Sequence, residues 1–123
     1  MTLSGLYILL GALAGAVGVG TGAFGAHALK ASLGDKLPIW QTAVQYQLVH
    51  ALALLGVALC LRQGLAGPLI YAGACFALGI VLFSGSLYGL ALGGPRWLGP
   101  VTPMGGLAFI VGWVCLAAAA FKA

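Results

Sequence analysis

The sequence predicts an all-α integral membrane protein, folded as a compact four-helix transmembrane bundle, and three observations carry that prediction. Its only charged side chains are Lys30, Asp35, Lys36, Arg62, Arg96 and Lys122. Between them run four uninterrupted apolar stretches, Leu3 to Leu29, Ile39 to Leu61, Leu69 to Leu92 and Val101 to Phe121. Each can cross a hydrocarbon core, which takes about 20 helical residues. A hydrophobic fraction of 63%, a charged fraction of 5% and a mean hydropathy of +1.15 exclude an ordinary soluble fold, in which about a quarter of residues are charged. Strands are excluded because open sheet edges cannot face lipid and these runs are much longer than barrel strands. At 123 residues the chain is a single domain with no length left for a soluble catalytic unit.

The expected helices cover about residues 3–29, 38–62, 68–93 and 103–121. Helix one contains Ala26-His27-Ala28, which looks like a signal-cleavage site. The preceding run has no basic residue and exceeds a normal signal core, so the helix is expected to be retained. Gly34-Asp35-Lys36-Leu37-Pro38 separates helices one and two, with Pro38 suited to a first turn. Arg62-Gln63-Gly64 and Gly67-Pro68 make a tight connection to helix three, which Gly93-Gly94-Pro95-Arg96 ends. Thr102 reads as an N-cap with Pro103 at the first position of helix four. From Pro103 to Phe121 that helix is short for a span, so it should stand nearly upright. Trp40 and Trp97 fall beside the breaks, as interface anchors do.

Small residues form stripes. Gly11, Gly15, Gly18, Gly22 and Gly25 follow a 4-3-4-3 spacing on helix one. Gly105, Ala108, Gly112, Cys115 and Ala119 follow a 3-4-3-4 spacing on helix four, and Gly85, Gly89 and Gly93 end helix three. Such stripes let backbones approach closely in lipid, and packing within the bundle is favoured over a dimer face. The bundle should be tight, with little room for a pore.

Polar residues are one-sided. The first half of helix two holds Gln41, Gln45, Tyr46, Gln47 and His50, while its second half is apolar. At 100° per residue Tyr46, Gln47 and His50 share one face, and Gln41 and Gln45 point roughly opposite. With four crossings, these lie on the same side of the membrane as His27, Ser84, Ser86, Tyr88 and Thr102. A polar cluster of His27, Tyr46, Gln47, His50, Ser84, Ser86, Tyr88 and Thr102 is therefore expected, because amides and imidazoles in hydrocarbon must find partners. His50, Tyr46 and Ser84 have similar expected depths. A neutral His50 bonded to helix three or Tyr46 follows, since no acidic side chain is available at that depth.

No motif declares a reaction, and an enzyme is not expected. One Asp and no Glu leave no carboxylate pair. Ser84-Gly85-Ser86 has no His and acid placed for a triad, and Gly18-Val19-Gly20-Thr21-Gly22 lacks the lysine of a phosphate loop. His27 and His50 are separated by about 12 Å in depth, too far to share a metal or haem whose ligands converge within about 2.0–2.3 Å. No cofactor is expected. Cys60, Cys75 and Cys115 lack close-paired spacing and read as packing residues. The five basic residues stand singly at helix ends, which suits lipid headgroups rather than nucleic acid. Lys30, Lys36 and Arg96 lie opposite Arg62 and Lys122, which favours cytoplasmic loops one and three and external termini.

Four linked segments carry a resemblance. They are Gly22-Ala23-Phe24-Gly25-Ala26-His27, Trp40 to Ala53 (WQTAVQYQLVHALA), Leu82 to Tyr88 (LFSGSLY) and Val101 to Gly106 (VTPMGG). In this order they resemble domain-of-unknown-function family 423, also uncharacterised protein family 0382, related to animal transmembrane protein 256. The resemblance spans nearly the whole chain. It implies a small multi-span protein of the bacterial inner (plasma) membrane and implies no activity. The residues favour a structural or accessory protein whose partners are lipid or another membrane protein, and a homo-oligomer is compatible with the stripes. The competing reading is a bundle that handles a small ligand, proton or metal at His50.

Overall fold

The computed structural model describes all 123 residues as four long helices and no strand. Each of the four is long and apolar enough to cross a membrane. Helix one runs Leu3–Ala26 and is capped by Thr2, whose hydroxyl accepts the Gly5 N–H at 3.1 Å. It stops three residues before the expected end. The cause is Leu33, which is buried against Trp40 and Ala91. To bring it there the chain turns at His27 and lays down one helical turn, Lys30–Leu33, then a 3₁₀ turn, Gly34–Lys36. Gly34 permits this with φ of 56°.

Helix two, Leu37–Arg62, has Pro38 in its first turn as expected. Helix three, Pro68–Ala91, contains an unexpected π turn at Ile80–Ser84 between Gly79 and Gly85. Helix four begins at Leu98 and runs to Ala119, so its expected start at Pro103 is corrected by five residues. Thr102 is not its N-cap, and Pro103 lies inside the helix. The start is drawn back by Leu98, which packs on Gly89: a Cβ there would lie 2.6 Å from Leu98 Cδ1. With 22 residues, helix four is about 33 Å long and needs no upright stance to span.

Helix one packs along helix two, helix three along helix four, and the two hairpins join through helices two and three. Helices two and three are the more buried pair. The main core, around Leu54, Val57, Leu69, Phe76 and Phe109, fills the half of the bundle nearer the termini and the middle. Because the chain crosses four times, reporter fusions at the two termini should report one side of the membrane; fusions on opposite faces would overturn this topology.

The glycine stripe on helix one divides by neighbour. A Cβ at Gly18 would lie 2.6 Å from Leu48, one at Gly25 2.5 Å from Trp40, one at Gly11 3.0 Å from Leu55 and one at Gly22 3.3 Å from Val44. These four face helix two within the monomer. Gly15 does not, since nothing lies within 4 Å of its Cβ position. Gly105 meets the backbone of Phe83, and Gly112 meets Phe76. Gly85 has no neighbour within 4 Å, and Gly93 serves a turn with φ of 86°.

Candidate functional site around His50

The expected polar residues form separate groups, and most of their hydrogen bonds end on backbone carbonyls. Nearest the loops, Ser86 Oγ donates to Phe83 O at 3.0 Å and lies 2.5 Å from Thr102 Oγ1, tying helix three to helix four. With the Ser86 proton so placed, Thr102 donates to Ser86 Oγ, and Leu98 O lies 3.4 Å from Thr102 Oγ1. A second group joins helices one, two and three through Gln47. Tyr88 donates to Gln47 Oε1 at 2.7 Å, and Gln47 Nε2 donates to Ala14 O at 2.8 Å. With its proton so placed, Tyr88 accepts from Thr21 Oγ1 at 2.9 Å. Trp40 Nε1 donates to Thr21 O at 2.8 Å.

His50 lies deeper and meets Tyr46 as expected, though through the backbone carbonyl, while its other partner comes from helix four and not helix three. Its Nδ1 is 2.7 Å from Tyr46 O, and Trp113 Nε1 on helix four donates to its Nε2 at 3.0 Å. An indole nitrogen is only a donor and a carbonyl only an acceptor. The ring must therefore carry one proton, on Nδ1, and be neutral. It stacks on Phe109 with ring centroids 3.6 Å apart. The expected meeting of His50 with Ser84 does not occur. Ser84 Oγ donates to Ala43 O at 2.7 Å, and Ala43 precedes His50 by about 10 Å along helix two. Tyr46 contributes its carbonyl and not its hydroxyl, which makes no hydrogen bond within the chain, while its ring packs on Phe83 at 4.6 Å. His27 stands apart from every group, exposed at the end of helix one.

Beside His50 a groove of about 530 Å³ opens between helices two and four, lined by Tyr46, Phe83, Phe109, Ile110 and Trp113 among others. Both imidazole nitrogens are engaged, so the ring offers no lone pair to a metal or a proton. The free polar group at the groove is the Tyr46 hydroxyl.

Three features here lie beyond the sequence expectations. Trp113 stands well inside helix four, and a tryptophan away from both interfaces must bond its N–H to something, which was the available signal. Thr21 sits within the glycine run of helix one and bonds Tyr88 and Trp40. Tyr7 is a polar residue in the half expected to be apolar, and its hydroxyl donates to Ile70 O at 2.5 Å. Its ring fits against Gly73, where a Cβ would overlap it.

Residues 21–106 match the family described as "Protein of unknown function (DUF423)". The chain is 48% identical over 118 residues to a UPF0382 membrane protein of Staphylococcus haemolyticus, covering 95% of this chain and 96% of that one. It is 46% identical over 119 residues to the UPF0382 membrane protein YwdK of Bacillus subtilis, covering 95% and 97%. Against the UPF0382 inner membrane protein YgdD of Escherichia coli it is 40% identical over 116 residues, covering 94% and 88%. No solved structure matches. The four apolar helices and these relatives make it a multi-pass protein of the bacterial inner (plasma) membrane. Matched over most of its length by the family profile and by these relatives, the chain belongs to the DUF423 family of membrane proteins, a family with no assigned function.

Proposed function

We propose that this is a structural or accessory membrane protein, not an enzyme, acting through helix contacts with lipid or another membrane protein. The observation that carries the reading is the engagement of its intramembrane polar groups. Gln47, His50, Ser84, Ser86, Tyr88 and Thr102 all bond inside the chain, and no buried side-chain polar atom lacks a partner. A nucleophile or proton carrier needs a group held ready for substrate, and these are committed to joining helices. Apart from Gln41, Gln45 and Tyr46, the outward surface of the spans is dominated by apolar residues, including Leu13, Val17, Leu52, Leu107 and Ile110.

One observation favours the small-ligand alternative, namely the groove beside His50 with its unbonded Tyr46 hydroxyl. Extraction of the full chain from native membranes in lipid particles, followed by mass spectrometry, separates the two. The accessory reading expects a stoichiometric membrane-protein partner, another copy included, that is retained by a folded His50→Gln variant. A co-extracted small molecule that this variant loses would establish the alternative instead.

A further inference from the structure

Besides the Tyr46 hydroxyl, the polar groups left unpaired on helix two are the amides of Gln41 and Gln45. Both are exposed, and neither amide bonds within the chain. Helix two has 26 residues. Centred on a hydrocarbon core of about 30 Å, it puts Gln41 near the boundary and Gln45 about 8 Å inside. An unsatisfied amide there costs free energy comparable to that of other desolvated polar groups. Lipid esters at the boundary can reach Gln41 but not Gln45. They also offer only acceptors, whereas an amide must both donate and accept.

The surroundings of these amides form a seat. Gln41 and Gln45 line a concavity of about 320 Å³ between helices one and two, next to Gly22 and Gly25. Leu48 carries it into a second concavity of about 450 Å³ beside Gly15 and Leu52. Gln41, Gln45, Leu48, Leu52 and Leu55 follow a 4-3-4-3 spacing along helix two. Leu48 and Leu55 lean on Gly18 and Gly11 of helix one, and Gln41, Gln45 and Leu52 are the exposed members that a second helix could meet along a seam at this edge. Gly15, without a neighbour in the monomer, stands in the seam where a second backbone would pass.

We propose that this groove between helices one and two is the interface with a second copy of the chain, held in register by Gln45 paired with Gln45 of the other copy. The proposal deepens the accessory reading, on which it rests, by naming the partner. A twofold axis along the membrane normal sets each helix two parallel to its mate, and places each residue opposite itself. A glutamine pair then closes on itself, each amide donating to the other's carbonyl. An antiparallel pair would set Gln45 against the apolar end of the partner helix and leave both amides unsatisfied. A polar residue set inside an otherwise apolar seam, as Gln45 is below the boundary residue Gln41, is also the device that specifies register in paired helices.

The test uses the full chain in inner-membrane vesicles, with Cys60, Cys75 and Cys115 replaced by alanine. Gln41→Cys should give an oxidative dimer at twice the chain mass. Phe24→Cys, at the same end of the bundle but on another face of helix one, should not. Energy transfer between labelled copies in vesicles should show Gln45→Leu weakening association about tenfold, which is about 1.4 kcal/mol, with Gln45→Asn restoring part of it. Gly15→Leu should block association and leave the monomer as stable as wild type, whereas Gly18→Leu should unfold it. Absence of the Gln41→Cys dimer together with unchanged energy transfer in Gln45→Leu and Gly15→Leu would overturn the proposal. If those variants instead lose a different stoichiometric membrane protein on native extraction, self-pairing is refuted and the accessory reading stands. If a small ligand lost in His50→Gln is all that co-extracts, both fall.

Discussion

Replacing Gly105 with alanine is expected to destabilise the bundle by about 3 kcal/mol, the upper end of what overpacking costs. A Cβ at this position would meet the backbone nitrogen of Phe83 and lie 2.7 Å from its Cα. Neither atom can rotate aside, so helices three and four must separate or the π turn must shift. Any shift disturbs neighbouring bonds, because Phe83 O accepts from Ser86 and Ser84 donates to Ala43 O. Gly106→Ala is the control, with Phe83 no nearer than 3.8 Å to its Cβ position. Thermal unfolding of the purified protein in detergent should separate the two variants widely. Gly105→Ala with the melting temperature of wild type would show that the helices do not approach as described.

The four spans were legible because charge is confined to the breaks, and hydrocarbon tolerates nothing else in between. The helix ends were less so, since local rules compete there with burial of one apolar residue. Thr102-Pro103 carries good start chemistry, yet packing of Leu98 on Gly89 extends helix four backwards past it. Leu33 similarly overrides a continuous apolar run and ends helix one early. The π turn at Ile80–Ser84 has no residue signature of its own. It becomes intelligible only with Gly105 and Ala43 in place on either side.

Depth arithmetic placed the polar residues on one side of the membrane but could not pair them. A search among polar side chains overlooks carbonyls, and carbonyls receive the bonds of Trp40, Gln47, His50 and Ser84. Azimuth was the second gap. By helical periodicity Gln47 and His50 share one face with Tyr46, yet Gln47 turns to helices one and three and His50 to helix four. Three residues turn a helix by about 300°, so these two can share a broad face and still meet different neighbours.

His50→Leu is expected to destabilise the bundle by about 1–3 kcal/mol, the cost of leaving a desolvated donor without its acceptor. The donor is Trp113 Nε1–H, which has the His50 ring as its partner on helix two. Leucine also gives up the stacked contact with Phe109. His50→Gln keeps a donor for Tyr46 O and an acceptor for the indole, so it should cost less, losing mainly the stack. Trp113→Phe removes the donor itself and leaves Nε2 at the edge of the groove, where it loses one bond and orphans no N–H. A double-mutant cycle of His50→Leu with Trp113→Phe should yield a coupling of about 0.6–1.7 kcal/mol, the range for interhelical bonds in membranes. Additive effects would mean that the two rings do not bond. Doubly protonated His50 would put an N–H against the indole N–H, so a charged ring cannot keep this geometry. Nitrogen-15 spectra of His50 at neutral pH should accordingly show one protonated ring nitrogen, Nδ1. A signature of two protonated nitrogens, or a proton on Nε2, would overturn both this assignment and the stability ranking that follows from it.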